Sequence, residues 1–352
     1  MSRSAHQNHS EAAKLGTALD AVAAGRPAGF FGLVTQDGDT IFAGSAGTAD
    51  MENPRPIRSS DRFRIASLTK TYLATVVLQL VAEDRLALSD PLAGWVPGLV
   101  PDDDRITVEL LLSMRSGLPD FVPAVLGDPP HPDNLQRYFA PEELVELALK
   151  QPRRHELGTQ VSYCNTNYIL LGLIVERASA QRVDAQLWRR IFDPLKLDGT
   201  EFPSVDPRMR GPHALGYMKI GDAEPVVECT TFTPSESWAC GAIVSTPGDV
   251  ARFLDALLGG ELLPAPELTA MRVMRPWNAE LDYGYGLVRY RVPGGGPAVY
   301  GHGGTHFGYD CYAFRSESGR TLVLYRNCSE RGVRLPLDNP FIRTAFGAEE
   351  AA

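Results

Sequence analysis

The chain has 352 residues, of which 44% are hydrophobic and 22% charged, a composition typical of a globular protein with a core of ordinary size. Its formal net charge of -9 argues against a nucleic-acid or anionic-membrane partner, because both partners require a basic surface. The five cysteines are odd in number and widely spaced, which favours free thiols over a disulfide framework or a zinc site.

The ends of the chain and its apolar segments bear on where the protein works. The first residues, MSRSAHQNHSEAAKLG, contain no apolar run between a basic start and a small-residue cleavage site. No segment approaches the roughly 18 uninterrupted apolar residues of a membrane-spanning helix. Unless a leader has been removed, we therefore expect a cytoplasmic protein that binds neither membrane nor nucleic acid. The sequence leaves the oligomeric state open.

The first predicted elements are a helix at residues 10–25 and a β-hairpin. Four apolar residues share one stripe of the helix: Ala12, Leu15, Leu19 and Val22. In the hairpin, apolar strands at 29–34 and 40–43 flank a turn that contains Asp37-Gly38. From Ser67 to about Arg85 the chain is apolar around most of the helical circumference, which predicts a helix buried in the centre of the fold.

The rest of the chain divides into a helical middle and a strand-rich end. Residues 105–200 are predicted to be mostly helical, and helices are expected at 142–150, 167–180 and 247–258. The last third predicts strands at 239–244, 283–292, 298–301, 310–315 and 321–327, then a helix at 335–346. The Gly294-Gly295-Gly296 run is interpreted as a hairpin loop, because no helix follows it. Strands near both ends indicate one α/β sheet domain, from 10–85 and 235–350, with a mainly helical domain at 86–234 inserted in the middle.

Ser67-Leu68-Thr69-Lys70 is the first candidate for chemistry. At the start of a helix, residues three apart share a face, so a serine hydroxyl and a lysine amine can meet there. A helix N-terminus favours an oxyanion, and a lysine buried among apolar residues loses its charge readily and can then accept the serine proton. The alternative is a serine cap followed by a surface lysine.

Two further motifs carry polar side chains in suitable places. Tyr163-Cys164-Asn165 lies in a polar turn before a predicted helix, where a phenol can carry a proton and an amide can hold a carbonyl or a lysine. The alternative is a packed tyrosine and a helix cap. In Tyr300-Gly301-His302-Gly303-Gly304-Thr305, small residues around the histidine allow a ligand to approach the strand closely. The alternative there is a glycine-rich turn with a solvated histidine.

In this order and spacing, S-x-x-K, Y-x-N and H-x-G resemble the penicillin-recognising serine hydrolases, which include class C β-lactamases, DD-carboxypeptidases, D-aminopeptidases and related esterases. The DD-carboxypeptidase/transpeptidase branch looks closest. The resemblance runs from about Gly29 to the C-terminal helix and includes residues 76–92, 97–120, 162–172 and 283–287. It implies an antiparallel sheet flanked by helices, of the β-lactamase/transpeptidase type, with an all-α region.

The same resemblance implies roles for individual residues. Ser67 corresponds to the nucleophile, with Lys70 and Tyr163 as general base and acid in an order that stays open. Asn165, His302, Gly304 and Trp238 would line the cleft, and the backbone amides of Ser67 and Thr305 would form the oxyanion hole. No metal or cofactor is implied. His306 and Asp310 are interpreted as loop residues.

One departure from the family pattern affects substrate recognition. In carboxypeptidases the third motif is H-T-G-T, and its first threonine helps an upstream arginine hold the substrate carboxylate. Gly303 stands at that threonine's position. The arginine is either Arg289 or Arg291, which strand alternation places on the same face, so the choice stays open.

The function expected from the sequence is that of a serine acyl-enzyme hydrolase, an amidase or peptidase acting on short peptide, amide or ester substrates. β-Lactams are expected acylating inhibitors. An acyltransferase or peptide cyclase that uses the same acyl-serine is the first alternative, and a non-catalytic penicillin-binding sensor is the second. A wall-peptide enzyme acts outside the membrane, which conflicts with the expected cytoplasmic location.

Overall fold

The computed structural model describes residues 2–27, 29–127, 132–219, 226–330 and 334–347. In chain order its strands are β1 (Phe30–Gln36), β2 (Asp39–Ala46), β3 (Phe63–Arg64), β4 (Tyr217–Lys219), β5 (Val226–Glu228), β6 (Val244–Ser245), β7 (Arg275–Pro276), β8 (Leu281–Tyr283), β9 (Val288–Arg291), β10 (Ala298–His306), β11 (Tyr309–Ser316), β12 (Arg320–Arg326) and β13 (Cys328–Glu330). The helices are α1 (Ser2–Ala23), α2 (Thr69–Ala82), α3 (Val108–Leu112), α4 (Val122–Leu126), α5 (Pro141–Leu149), α6 (Asn165–Ser179), α7 (Val183–Leu187), α8 (Pro247–Leu258), α9 (Ala265–Met271) and α10 (Pro340–Ala345).

The main sheet has eight antiparallel strands in the order β2-β1-β12-β11-β10-β9-β8-β7. It is assembled from both ends of the chain, because β1 pairs with β12 in a register that runs from Phe30 opposite Arg326 to Gln36 opposite Arg320. The predicted hairpin is confirmed. Asp37 and Gly38 both have positive φ in its turn, at 51° and 86°, as a two-residue type I′ turn requires.

Alternation along β1 explains why helices cover both faces of the sheet. Phe30 and Val34 point into a core formed with α1 and α10, whereas Phe31 and Leu33 point into the larger core on the opposite face. Because successive strand residues point to opposite faces, a strand buried on both sides reads as a continuous apolar run. The antiparallel sheet flanked by helices, expected from the resemblance, is confirmed.

The helix that carries the first motif lies in the larger core. Most of α2 is buried, including Tyr72, Val76 and the charged residue Lys70, and α2 packs against α6 of the helical region. The prediction of a central buried helix is confirmed. Its bounds differ: Ser67 precedes the α-helix in a 3-10 turn, Ala66–Leu68, and the helix ends at Ala82 instead of near Arg85.

The strand predicted at 283–292 is confirmed at 288–291, as β9, but it is interrupted before that, because Tyr283 ends β8 and residues 284–287 form the turn of a hairpin between β8 and β9. Gly286 has a φ of 65° and approaches α2 so closely that an added Cβ would lie 2.6 Å from the Cβ of Ala74. Its carbonyl accepts a hydrogen bond of 2.7 Å from the hydroxyl of Thr71. This contact with a distant helix interrupts a run whose local pattern favours a strand.

Three other predicted bounds are corrected. The strand expected at 298–301 continues to His306, so the third motif lies in a strand and not in a turn. The helix expected at 335–346 begins at Pro340, because Asn339 caps it by accepting a hydrogen bond from the Ile342 amide. The strand expected at 239–244 is reduced to β6, since the preceding residues form a 3-10 turn, Trp238–Cys240.

The predicted division at 86–234 stays a prediction, and residues 348–350 of the predicted outer domain lie outside the described residues. Within the described parts of the chain, none of the helices combines the length and apolar character needed to cross a bilayer. The cytoplasmic location expected from the sequence stays a prediction.

Candidate active site

The turn that presents Ser67 is strained and tightly held. Ala66 has a φ of 47°, in the left-handed region that residues with a side chain rarely adopt. The turn is anchored on one side because the Ile65 amide donates a 3.0 Å hydrogen bond to the carbonyl of Ile243. Backbone strain one residue before a polar side chain is the pattern found where surrounding structure fixes that side chain for function.

Lys70 is fully buried one helical turn after Ser67. Its ammonium nitrogen lies 3.1 Å from the Ser67 hydroxyl, 2.8 Å from the side-chain oxygen of Asn165 and 2.8 Å from the backbone carbonyl of Cys240. The last two partners can only accept, so two lysine protons are committed to them. The third position on nitrogen therefore faces the serine hydroxyl.

Asn165 is oriented by a carboxylate that the sequence reasoning missed. One oxygen of Asp120 accepts hydrogen bonds from the Asn165 side-chain nitrogen at 2.9 Å and from the Asn165 backbone amide at 3.1 Å. Because the nitrogen end of the amide is held by Asp120, its oxygen end must face Lys70. The Asn165 amide thus links the start of α6 to the buried ammonium.

Tyr163 reaches the same ammonium from the segment before α6. The Lys70 nitrogen lies 5.0 Å from the centre of the Tyr163 ring, and that ring stacks on Trp277 at 5.3 Å between centroids. The phenol oxygen is buried and has no hydrogen-bond partner among the described residues. The structure therefore brings together the serine, the lysine and the tyrosine of the first two motifs.

The charge of Lys70 follows from its neighbours. Burial by itself lowers the pKa of Lys70, but the Tyr163 phenol, Cys240 and Asp120 outweigh it and raise the pKa above its usual 10.5. At neutral pH the side chain is an ammonium that donates to all three of its partners. The sequence argument that burial discharges this lysine is corrected by these polar contacts.

His302 lies on β10 with its side chain buried, and its ring centre is 6.0 Å from that of Tyr163. Burial first, and then the nearby charge of Lys70, lower its pKa to about 3. His302 is therefore neutral at physiological pH. One ring nitrogen bonds the Gly303 carbonyl, and the other, Nε2, is buried without a hydrogen-bond partner among the described residues.

We expect His302 to make the fold sensitive to acid. Between its ordinary pKa of 6.5 and about 3, the unfolded chain takes up a proton that the folded chain excludes, so stability falls as pH falls through this window. Each pH unit in the window contributes about 1.4 kcal/mol. The urea midpoint of His302→Gln should therefore decline less from about pH 7 to about pH 4 than that of the wild type.

The matched control for this comparison is His9→Gln, because His9 is exposed on α1. This variant should follow the wild-type slope. Equal slopes for the wild type and His302→Gln would contradict a neutral, buried His302.

Glycines on β10 allow this strand to pack against the Ser67 turn. A Cβ at Gly304 would lie 2.1 Å from the Ile65 carbonyl oxygen, so only glycine fits this position. The next residue, Thr305, lines the space in front of Ser67. At Gly303 an added Cβ would lie 2.7 Å from the Tyr312 ring, so the aromatic ring occupies the room that a side chain would need.

Two cavities open beside Ser67. The larger has a volume of about 510 Å³ and the smaller one of about 310 Å³. Both are lined by Ser67, Tyr163, Thr305 and Arg334. Asn165 lines the larger cavity, and His302 and Gly304 line the smaller one. Ser67 therefore lies between two cavities. A nucleophile needs this position if the groups on both sides of the scissile bond are to bind beside it.

The prediction that Trp238 lines the cleft is wrong. Its ring packs on Gly172 of α6, where an added Cβ would lie 2.7 Å from the ring, and it borders a separate hollow beside Tyr138. The reason is the backbone turn: Trp238 has a φ of 33° in its 3-10 turn. Its neighbour Ser237 lines the larger cavity instead.

The two candidate arginines also lie elsewhere. Arg289 and Arg291 share a face of β9, as expected, but both border a hollow that Ser67 does not line. Arg289 is held there by a 2.6 Å ion pair with Asp282 on the neighbouring strand. Neither arginine is placed to hold a substrate carboxylate next to Ser67.

Several residues around Ser67 were not predicted. Those with charged or titratable side chains on the larger cavity include Asp120, Arg154, Glu236, His306, Glu330 and Arg334. The interpretation of His306 and Asp310 as loop residues is wrong, because they lie in β10 and β11 and each is paired, with Glu236 and Arg326 respectively. The acidic residue in Ser-Glu-Ser at 235–237, directly before the mostly apolar residues 238–244, was the available signal for Glu236.

Known proteins give independent information on the chain. Residues 18–345 match the family model described as Beta-lactamase. A D-stereospecific amidohydrolase from Streptomyces sp. is 30% identical with a TM-score of 0.82, covering 90% of this chain and 94% of its own. D-amino acid amidase from Ochrobactrum anthropi SV3, in complex with D-phenylalanine, is 27% identical with a TM-score of 0.84. The match covers 95% of this chain and 98% of the amidase chain. Esterase EstB from Burkholderia gladioli is 30% identical over 280 residues, 70% of this chain and 71% of the esterase.

The fold and these relatives define the class of the protein: it is an enzyme, a serine hydrolase. The chain belongs to the beta-lactamase family, in which penicillin-binding proteins, esterases and amidases share this fold. The penicillin-recognising family expected from the three motifs is confirmed. The alternative of a non-catalytic sensor is thereby set aside.

Proposed function

We propose that this enzyme hydrolyses amide or ester bonds of small amino-acid or peptide derivatives through an acyl group carried on Ser67. The observation that supports it most is the arrangement around Lys70. A buried ammonium bonds the Ser67 hydroxyl at 3.1 Å, and the Tyr163 phenol beside it has no hydrogen-bond partner among the described residues. A positive charge at this point lowers the cost of forming a phenolate or an alkoxide nearby.

In the proposed reaction Tyr163 reacts as a phenolate whose charge is balanced by the Lys70 ammonium, and it takes the Ser67 proton while the serine oxygen bonds the substrate carbonyl carbon. The backbone amides of Ser67 and Thr305 hold the resulting oxyanion. The bond from carbon to the leaving nitrogen or oxygen then breaks, and Tyr163 returns the proton to the leaving group. Water then attacks the acyl-enzyme, and Tyr163 takes a proton from it and passes that proton to the Ser67 oxygen as the acyl bond breaks, which releases the acid and restores Ser67.

Two observations favour amidase or esterase action over release of a C-terminal residue with a free carboxylate. Gly303 supplies no hydroxyl where carboxypeptidases have threonine, and the Tyr312 ring fills that position. Arg289 is paired with Asp282 away from both cavities. The relatives named for D-stereospecific amidohydrolase and D-amino acid amidase activity support a D-configured amino-acid amide as the substrate.

Intact-mass measurement after incubation with a fluorophosphonate tests the proposal. We expect a single adduct, mapped to Ser67 by peptide analysis, and no adduct on Ser67→Ala. In a separate incubation, a β-lactam should form its own adduct at Ser67, more slowly than the fluorophosphonate does. An adduct that persists in Ser67→Ala, or none on the wild type, would refute the acyl-serine mechanism.

Hydrolysis and acyl transfer share the acyl-enzyme and differ in what captures it. D-amino-acid p-nitroanilides or thioesters should be turned over to the free acid, and added amine should not divert the product. Capture of most of the acyl group by the amine would favour the acyltransferase alternative instead.

A further inference from the structure

A buried acid faces the larger cavity and takes no part in the proposed reaction. Glu236 lines this cavity, and its side chain is only 3% exposed. One carboxylate oxygen accepts a 2.6 Å hydrogen bond from Nε2 of His306, which lines the same cavity. A carboxylate so deeply buried needs compensation, because removing it from water costs several kcal/mol.

His306 does not supply a compensating charge in this arrangement. The backbone amide of Phe307 donates a 2.7 Å hydrogen bond to Nδ1 of His306, so that nitrogen must carry a lone pair. The single ring proton is then on Nε2, where it is donated to Glu236. The histidine therefore orients the carboxylate through a single N–H donor.

A buried cation beside Phe232, the aromatic neighbour of His306, is committed elsewhere. Arg64 lies 4.0 Å from the Phe232 ring, and His306 stacks on the same ring at 4.5 Å. Arg64 donates its hydrogen bonds to backbone carbonyls, including those of Pro207 and Thr230. It makes no ion pair with Glu236 among the contacts of the described residues. Among the described residues, the second oxygen of Glu236 accepts no hydrogen bond.

The other acids of this cavity are already paired. Asp120 accepts hydrogen bonds from Asn165 and from the Val122 amide. Glu330 lies within ion-pair distance of Lys219, at 3.8 Å, and of Arg326, at 3.9 Å. Glu236 is therefore the acid on the wall of this cavity best placed to accept a cation from a ligand.

Glu236 is also close in the chain to groups that surround Ser67. It ends a 3-10 turn, Pro234–Glu236, and four residues later the Cys240 carbonyl bonds Lys70. Its partner His306 directly follows Thr305, which lines both cavities. A cation bound at Glu236 would thus occupy the same cavity as the acyl group on Ser67.

We propose that Glu236, positioned by His306, binds the free ammonium group of the substrate's acyl part, so that the enzyme selects unblocked amino-acid amides and esters over N-acylated ones. This inference rests on the proposed function and adds the substrate class. A charge-assisted hydrogen bond to a carboxylate that is only 3% exposed is strong enough to set such a preference. An acylated nitrogen carries no charge and leaves Glu236 with His306 as its hydrogen-bond partner and no cation.

The test compares kcat/KM for an amino-acid p-nitroanilide and its N-acetyl counterpart. The wild type should favour the free amine, and Glu236→Gln should lower kcat/KM for it by about 10- to 100-fold, the range expected for a hydrogen bond to a charged group. The value for the N-acetyl substrate should stay within about threefold. Glu330→Gln, a second acid of the same cavity, is the matched control and should keep the wild-type preference. His306→Phe keeps the ring stacked on Phe232 and should lose part of the preference.

The outcomes separate this inference from the proposed function. Equal losses on both substrates in Glu236→Gln, or no wild-type preference for the free amine, would overturn the ammonium site while fluorophosphonate labelling of Ser67 persists. A wild-type enzyme without that labelling would overturn the proposed function itself. A preference that disappears in Glu330→Gln as well would also count against Glu236.

Discussion

Replacing Lys70 by methionine is expected to lower kcat/KM by about 10³- to 10⁴-fold, near the upper end for loss of an acid–base group. Methionine keeps much of the volume but removes the charge that faces Ser67, Asn165 and the Cys240 carbonyl. Without the ammonium, the phenolate of Tyr163 that must accept the serine proton lies in a buried site with no opposing charge. Steady-state kinetics on an amide substrate measure the loss.

Lys70→Arg serves as the control for charge alone. In the wild type, three acceptors lie 2.8 to 3.1 Å from the single Lys70 nitrogen. A planar guanidinium cannot place one nitrogen in that position, so activity should remain low although the charge is kept. Thermal unfolding of both variants checks that they fold. Activity in Lys70→Met within about tenfold of the wild type would contradict the proposed role.

The raised pKa of Lys70 also gives a stability signature. A group whose pKa is higher in the folded than in the unfolded chain stabilises the fold below its unfolded pKa, and this stabilisation is lost as pH rises through its folded pKa. The wild type should therefore lose stability above pH 10.5 in a way that Lys70→Met does not. Urea midpoints for the two proteins over this alkaline range measure the difference.

The reactive centre could be predicted because it depends on local geometry and motif order. Ser67 and Lys70 are three residues apart at the start of one helix, and helical geometry alone brings their side chains together. Tyr163 and His302 are far away in sequence, and no local rule places them near Lys70. Only the resemblance to a family with the same three motifs made their position predictable.

The cavity walls could not be predicted because they depend on packing between distant segments. The turn at Gly286 depends on its contact with α2. The position of the Trp238 ring depends on its packing against Gly172 of α6. The pair formed by Glu236 and His306 joins a 3-10 turn to the end of a strand, 70 residues further on. Neither residue carries a local signal that specifies the other as its partner.

Replacing Tyr163 by phenylalanine is expected to lower kcat/KM on an amide substrate by about 10²- to 10³-fold. Phenylalanine keeps the ring that stacks on Trp277 at 5.3 Å and removes only the buried oxygen, which has no hydrogen-bond partner in the described part of the chain. An amide leaving group must be protonated as it departs. Hydrolysis of an amide therefore depends on the phenol twice, when Ser67 attacks the carbonyl and when the amine leaves. A p-nitrophenyl ester of the same acid leaves as an anion, so its kcat/KM should fall less.

Tyr283→Phe is the matched control, because Tyr283 is a second buried phenol of the same aromatic cluster. Its ring lies 6.1 Å from the Tyr163 ring and 6.0 Å from the His302 ring, but it lines neither cavity beside Ser67. This variant should keep activity within about threefold, since the oxygen it loses faces no substrate. Equal losses in the two variants would show that packing of the cluster, and not a proton carried by Tyr163, accounts for the effect. A smaller loss on the amide than on the ester would likewise argue against Tyr163 as the proton donor, since only the amide requires protonation of its leaving group.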